Sequence, residues 1–407
     1  MMKPKNNTVV YCYAYTILWQ LYQLQGFLEI GGLAKLLLLF LVGYSLYKVI
    51  DVNLKYKLPL FLKGVNILLL MFSIYGLIYL IVGEVYIINA ASGIGKLVKS
   101  DYLKNIFCSL PVIYVYYDFA QKGVFRDGKN IMPLLLILLG CSIINFFAYY
   151  ALAIKNAESR LIYVDGLTNN MGYKFVPLMA LCLLAKKWRF PIICVCMVFI
   201  VLSLKRGAMV VGVISFVAYF YMLYKNSSGW RKKAVMCFFA TALIIGGYIT
   251  YDFYKESEGL QRRFEKTMEG DSSGRDVLYS ELIEYYPRQE STLAMIFGNG
   301  PDATVKIAGN YAHNDWIEIL INQGILGIVI FAMFYILWYR NLKQISHRAP
   351  ENVAVAFGLL LLGSFVSSIF SMSYTGFSSS NCIPIGVALT YSVISKRKSY
   401  GAGALSD

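Results

Sequence analysis

The chain has 407 residues, of which 58% are apolar and only 15% charged, and its mean hydropathy is +0.56. Soluble domains are less apolar and carry about a quarter charged residues, so these values exclude an ordinary soluble protein and predict a polytopic membrane protein. The net charge of +15 does not indicate nucleic-acid binding, because the basic residues form short clusters between apolar runs, as cytoplasmic loops do.

A bilayer core of about 30 Å requires about 20 apolar residues per helix. On this measure the sequence predicts an all-α integral membrane protein with about twelve transmembrane helices. They lie near 9–25, 32–50, 64–83, 104–118, 131–153, 172–185, 190–204, 207–224, 234–251, 316–338, 352–372 and 383–395. With the N-terminus inside, the basic loops at 48–63, 122–129, 186–189, 225–233 and 340–348 fall on the cytoplasmic side. Three lysines do not fit this orientation, because they would lie on the outer side of the membrane: Lys96, Lys99 and Lys104.

One long polar segment, 252–315, breaks the pattern of short loops. It holds twelve acidic against seven basic residues, which is the charge asymmetry expected of an outer loop. Three regions are therefore expected: nine helices in 1–251, the large outer loop in 252–315, and three helices with a cytoplasmic tail in 316–407. Within the loop, "RDVLYSELIEYY" mixes apolar and charged residues at helical spacing. It predicts an amphipathic helix over the mouth of the membrane region.

The first candidate residue is His313, which precedes an apolar run in "YAHNDWIEILINQGILGIVIF". Asp315 is expected to cap the following helix, with Glu318 completing a weak capping-box pattern. His313 would then lie at the outer interface, beside a helix N-terminus whose N–H groups favour anions. Gly324 and Gly327 leave a helix patch without side chains, where another backbone can approach. The alternative is an interfacial histidine that only hydrogen-bonds a neighbour.

A pair of cations, Lys205 and Arg206, separates two apolar runs in "SLKRGAMVVG" with almost no loop. Because the run 190–204 rises only about 22 Å as a helix, the hairpin tip is expected below the outer surface. An Arg at membrane depth costs about 2.5–3.5 kcal/mol on insertion scales, so it needs a partner or a wet cavity. Cations placed there suit a diphosphate ligand, which guanidinium binds bidentately. The alternative is snorkelling to the interface.

Two further arginines lie in predicted outer loops. Arg275 opens the predicted amphipathic helix, from which its side chain can point back to the membrane mouth, and Arg160 lies in "NAESRLIYVDGLTNNMGY". Both are candidates for diphosphate binding, and for both the alternative is an ordinary surface charge. Signatures of nucleotide-phosphate, zinc and dinucleotide sites are missing from the sequence, so neither a cofactor nor a metal is expected.

Together and in this order, these segments resemble the O-antigen ligase and polymerase superfamily of bacterial surface-polysaccharide assembly. His313 and Asn314, followed by Gly324 and Gly327, are similar to the ligase-type motif that related polymerases share. Further segments with family-like patterns are "KRGA" at 205–208, in which Lys205 replaces the usual serine, "SGR" at 273–275, "GNG" at 298–300 and "NNMGYKFVPL" at 169–178. The likeness covers roughly residues 160–335.

The resemblance implies a GT-C-like, metal-independent, inverting glycosyltransferase in the bacterial inner membrane, with its site facing the periplasm. Its donor would be an undecaprenyl-diphosphate-linked glycan and its acceptor a glycan or lipid-linked glycan. Membrane lipids, chain-length regulators and flippases are the implied partners, and nucleic acid is not. His313 would be the catalytic histidine, and Arg206 and Arg275 would bind the diphosphate.

The resemblance leaves the reaction open between two activities. We expect a polymerase that joins lipid-linked repeat units, because nothing in the sequence marks a dedicated acceptor site. The alternative is a ligase that moves the finished chain onto lipid A–core. A lipid-linked oligosaccharide flippase is less favoured, because it predicts two comparable halves, whereas the long loop lies in the last third only.

Overall fold

The computed structural model describes residues 6–25, 31–83, 99–125, 128–159, 169–185, 188–256, 261, 265, 275–371 and 382–389. These residues are almost entirely helical and include no strand. The helices are α1 (Asn6–Gln23), α2 (Gly31–Lys55), α3 (Leu60–Val82), α4 (Lys99–Phe107), α5 (Leu110–Gln121), α6 (Ile131–Ser159), α7 (Gly172–Leu184), α8 (Arg189–Leu202), α9 (Arg206–Lys225), α10 (Gly229–Glu256), α11 (Arg275–Tyr285), α12 (Thr292–Phe297), α13 (Ala303–Ala308), α14 (Asp315–Ser346) and α15 (Glu351–Phe370). A 3₁₀ turn, Tyr286–Arg288, follows α11, and residues 382–389 are also helical.

Within the described ranges, six helices are long and apolar enough to cross a membrane: α2, α3, α6, α9, α14 and α15. Two shorter apolar helices, α7 and α8, occupy the predicted spans near 172–185 and 190–204. The expectation of an all-helical, multi-pass membrane protein is therefore confirmed. The number of about twelve crossing helices and the GT-C-like arrangement stay predictions.

The predicted span near 104–118 is wrong as a single helix. The structure has two helices there, α4 and α5, which are separated at Cys108 and Ser109. Pro111 lies in the first turn of α5, where it has no N–H to offer the carbonyl of Phe107 and its ring crowds that carbonyl. The helix therefore ends at Phe107 and restarts after Ser109, whose hydroxyl donates to the Ile106 carbonyl at 3.0 Å.

Residues 275–315 pack at one end of the transmembrane helices, which we call the loop end. There, the Tyr75 hydroxyl of α3 donates to the Phe297 carbonyl at 2.6 Å. From this end α14 runs along α3 and α15, with which it shares a buried aromatic core. In that core Phe61 of α3 lies edge-on to Trp338, with ring centroids 4.7 Å apart, and Trp338 also contacts Phe357 of α15.

The opposite end contains a buried ion-pair network. Lys48 of α2 binds Asp51 at 2.9 Å and Asp118 of α5 at 2.8 Å, and Lys122 binds Asp118 at 2.8 Å. Both aspartates and Lys48 are less than a tenth exposed, so pairing is what allows these charges to be buried. The network ties α2 to α5 far from the loop end.

Candidate active site

The N-terminus of α14 is capped by Asn314. Its side-chain oxygen accepts hydrogen bonds from the backbone N–H groups of Trp316 at 2.9 Å and Ile317 at 3.3 Å. Asn is among the best N-cap residues because its short side chain reaches these otherwise unbonded donors. The prediction that Asp315 is the cap is therefore wrong: Asp315 is the first helical residue and is fully buried. The motif's asparagine fixes the chain direction directly after His313.

Glu318, in the first turn of α14, forms a hydrogen bond with Ala312, the residue before His313. It is fully buried, and its Oε1 accepts a hydrogen bond from the Ala312 N–H at 2.5 Å. Its Oε2 accepts from the Thr304 hydroxyl at 2.7 Å and the Asn322 amide at 3.2 Å. The predicted capping box is thus wrong, because the carboxylate bonds Ala312 and not the N-cap residue. Three donors satisfy this buried carboxylate and hold the histidine loop in place.

His313 itself is half-buried and has a left-handed backbone, with φ +53°. Such a conformation is uncommon for a residue with a side chain and persists only where neighbours impose it. Burial and the positive charges of Arg275 and Lys205 all lower the pKa of His313 below its ordinary value. The lowered pKa favours the neutral imidazole, which can accept a proton.

Arg275, the first residue of α11, links three elements around this histidine. Its guanidinium donates to the carbonyl of Phe370, at the end of α15, at 3.4 Å. Burial raises the pKa of Tyr279, whereas hydrogen bonds with Asn314 and Arg275 lower it. Among the residues that the structure describes, Arg275 has no ion-pair partner. A half-buried cation without a carboxylate partner favours the binding of an anion.

The two cations at the start of α9 have different surroundings in the structure. Lys205 is the N-cap residue and is half-buried, and its charge acts on His313. Arg206 is the first residue of the helix and its side chain is exposed, and it does not contribute to the lowered pKa of His313. The structure thus brings together His313, Arg275 and Lys205. Arg160 lies outside the described residues.

Asn169 positions the tip of the α8–α9 hairpin. Its backbone N–H donates to the Ser203 carbonyl at 2.8 Å, and its side-chain amide donates to the Phe146 carbonyl of α6 at 3.0 Å. Its side-chain oxygen also accepts from the Met171 N–H at 2.9 Å, just before α7. The asparagine therefore fixes three elements around the residues that precede Lys205, which gives the "NNMGY" segment a structural role.

Gly324 interrupts α14, with φ +67° and ψ −163°. The break frees two carbonyls, which accept hydrogen bonds from the loop: Asn299 N–H to Ile321 at 3.0 Å, and Gly300 N–H to Asn322 at 2.9 Å. Buried backbone groups need such partners, and irregular backbone within membrane helices is tolerated only where it is covered by protein. The "GNG" segment therefore completes the broken helix.

The two motif glycines have different surroundings. A Cβ on Gly324 would lie 2.5 Å from the Ile296 carbonyl oxygen, so the predicted close approach of another backbone is confirmed there. A Cβ on Gly327 would instead meet Gln323 and Ile319 of its own helix. The predicted approach of another backbone is therefore wrong for Gly327. The break at Gly324 brings the turn before it, with Gln323 and Ile319, against Gly327.

A further carboxylate, Asp302, was not singled out in the sequence. It accepts hydrogen bonds from the hydroxyls of Tyr79 at 3.1 Å and Tyr311 at 3.2 Å, and it ties α3 to the loop before His313. Burial raises the pKa of Asp302. The only sequence signal is its place directly after "GNGP", which does not identify its partners.

Part of the predicted site lies within a match to a known family, whereas Arg160 and the segment 169–178 precede the matched range. Residues 191–332 match the family model described as O-antigen ligase. The matched range contains Lys205, Arg275 and His313, and it supports membership of the chain in the superfamily of O-antigen ligases and polymerases. A search of curated proteins finds no match. Within the described ranges, no group of three or more His, Cys, Asp or Glu residues has a geometry that could hold a metal ion.

Proposed function

We propose that this chain, a member of the O-antigen ligase and polymerase superfamily, polymerises lipid-linked glycan repeat units. The donor is an oligosaccharide on undecaprenyl diphosphate and the acceptor is a second lipid-linked glycan. The observation that carries the proposal is the half-buried His313 beside two cations, Arg275 and Lys205, which with burial lower its pKa. This arrangement combines a proton acceptor with an anion site, which transfer from a lipid diphosphate requires.

In the proposed reaction His313 is the general base. A hydroxyl oxygen of the acceptor attacks the anomeric carbon of the donor while His313 takes the hydroxyl proton. The bond from that carbon to the diphosphate oxygen breaks, the diphosphate leaves with the electron pair, and the configuration inverts. The lowered pKa supports this role because it favours the unprotonated imidazole.

The leaving diphosphate is assigned to Lys205 and Arg275. Negative charge develops on this group as the bond breaks, and fixed cations in a partly desolvated place stabilise it. We include Arg206 in the same site, because it occupies the first turn of α9 beside Lys205, and Arg160 remains a candidate. This electrostatic arrangement supports a transfer that does not depend on a metal ion.

Charge distribution supports an outward-facing site. The basic residues near the helix ends opposite the loop include Lys48, Lys122, Lys225 and Lys343. Lysines and arginines gather on the cytoplasmic side of membrane proteins, so we place the loop end, with His313, on the periplasmic face of the inner membrane. There it would meet lipid-linked units, with chain-length regulators and flippases as partners.

The nearest alternative is a ligase that transfers the finished polymer to lipid A–core, since it uses the same donor and the same site. The test is the surface glycan profile of a deletion strain that carries wild type, His313→Ala or His347→Ala, with membrane levels of each protein measured. His347 is exposed at the far end of α14 and provides the matched control.

We expect His313→Ala to lose long chains while a single lipid A–core-linked repeat unit persists, and His347→Ala to retain the wild-type profile. Loss of all linked glycan, with long undecaprenyl-linked polymer accumulating, would identify a ligase instead. A wild-type profile in the His313→Ala strain would contradict both assignments.

A further inference from the structure

Tyr173, the second residue of α7, projects its ring towards the start of α9. A Cβ built on Gly207 would lie 2.3 Å from the Tyr173 hydroxyl oxygen and 3.3 Å from Cβ of Phe370. The phenol therefore occupies the volume that a side chain at Gly207 would need. Since Gly207 follows Lys205 by two residues, the hydroxyl lies at the same helix start as that cation.

The Tyr173 hydroxyl also shares its location with Arg275. The two side chains interact electrostatically, and the Arg275 guanidinium donates to the carbonyl of Phe370, the residue that faces Gly207. Two independent sets of contacts thus place this hydroxyl beside the cations assigned to the anion.

No hydrogen bond of the Tyr173 hydroxyl is found within the described part of the chain, and the side chain is half-buried. Tyrosines with a structural role here are different: the buried Tyr114 donates to Asn66 at 2.6 Å and to the Leu62 carbonyl at 3.1 Å. A half-buried hydroxyl without a protein acceptor in the described residues can donate to a ligand that reaches it, and the nearby cations favour an anionic ligand.

The ring of Tyr173 lines one end of a cleft between α7, α15 and residues 382–389. Its other walls are mostly apolar and carry two serines: Val176, Pro177, Leu359, Leu360, Gly363, Ser364, Ser367 and Ile385. Pro177 also lacks the N–H that would bond the Tyr173 carbonyl in a regular helix. Tyr173 therefore packs among mostly apolar side chains while its hydroxyl lies near the charge of Arg275, which suits an amphipathic side chain.

We propose that Tyr173 binds the donor: its hydroxyl donates a hydrogen bond to a diphosphate oxygen held by the nearby cations. The inference rests on the proposed function and adds a residue to it. Hydrogen bonds to charged oxygens are stronger than neutral ones. Loss of this bond weakens binding about tenfold or more.

The test measures the affinity of the full-length protein in detergent for two probes, undecaprenyl diphosphate and undecaprenol, which has no phosphate. We expect Tyr173→Phe to bind the diphosphate about tenfold more weakly and undecaprenol as wild type does. The control is Tyr114→Phe, which removes a paired hydroxyl: it lowers the midpoint of thermal unfolding and leaves the preference for the diphosphate unchanged.

Gly207→Ala provides a second, steric test of the same contact. The new methyl group collides with the Tyr173 hydroxyl and displaces it, so the diphosphate affinity falls. In the double variant with Tyr173→Phe the obstructing oxygen is gone, so the two losses are not additive. Full additivity of the two losses would contradict the contact.

Wild-type affinity of Tyr173→Phe for the diphosphate, or equal losses for both probes, overturns the inference. A wild-type protein that binds undecaprenol as tightly as the diphosphate overturns the proposed function instead. The two failures are therefore distinguishable.

Discussion

At the scale of single residues, the chemistry of His313 is set by its surroundings. Burial lowers the pKa of His313, and the positive charges of Arg275 and Lys205 lower it further. The pKa of His313 therefore lies below the ordinary histidine value of about 6.5, so the neutral imidazole persists to lower pH than that of a free histidine. A general base in this environment stays active in mildly acidic solution.

The sequence predicted His313 and Arg275 from their motifs, and the structure brings both together. It did not distinguish Lys205 from Arg206, because neighbouring residues at a helix start point in different directions that only the fold determines. The capping-box pattern predicted the wrong partner for Glu318, and the family-like segment "NNMGYKFVPL" contains Tyr173 without indicating what its hydroxyl contacts. Their contacts join residues far apart in the chain, such as Tyr173 with Gly207.

At the scale of elements, apolar periodicity predicted the long helices well. The structure also has a helix, α11, at the position predicted near 275–286, whereas its amphipathic role over the membrane mouth stays a prediction. The break in α14 was not predicted, because Gly324 is also compatible with a continuous helix and its freed carbonyls are satisfied by a segment more than twenty residues earlier. Hydrogen bonds from a distant segment therefore stabilise the break in α14.

Because of this break, we expect Gly324→Ala to destabilise the protein. The backbone conformation of Gly324 is accessible essentially to glycine alone, and the added methyl would lie 2.5 Å from the Ile296 carbonyl oxygen. We expect a loss of about 3 kcal/mol in unfolding free energy, measured as a lower midpoint of thermal unfolding in detergent.

The matched control is Gly140→Ala in α6, where a Cβ meets no atom within 4 Å. This substitution is expected to be neutral or slightly stabilising, since Ala favours a helix over Gly. Equal midpoints for the two variants would show that the break in α14 is not a strict requirement of the fold.

At the scale of the whole molecule, the candidate site and a buried ion-pair network lie at opposite ends of the fold. The loop end holds the catalytic candidates, and the opposite end holds the Lys48 network with Asp51 and Asp118. The basic loops predict that the opposite end faces the cytoplasm. The sequence did not predict that Lys48 would be buried and paired, because its carboxylate partner Asp118 lies on another helix.

We therefore predict that Asp118→Asn lowers stability and leaves the site intact. The change removes a partner of Lys48 and Lys122 from a buried network, which is costly because a buried charge loses its counter-charge. The midpoint of thermal unfolding should fall by several degrees, while the affinity for undecaprenyl diphosphate is retained.

The control for this prediction is Glu351→Gln, which breaks the exposed pair with Lys225 and should leave the midpoint unchanged, as surface pairs contribute little. A reduced diphosphate affinity in Asp118→Asn, at temperatures where it is folded, would contradict the separation of the two ends.

The central claim is that His313 acts as a neutral base between two cations, and the pH dependence of kcat/KM for glycan transfer tests it most directly. The account predicts an acidic limb below pH 6.5 in wild type, because Lys205 and Arg275 lower the pKa of His313. The limb should shift to higher pH in Lys205→Gln, stay in place in Arg206→Gln, and disappear in His313→Ala. A limb that survives in His313→Ala, or that Lys205→Gln leaves unmoved, would contradict the account.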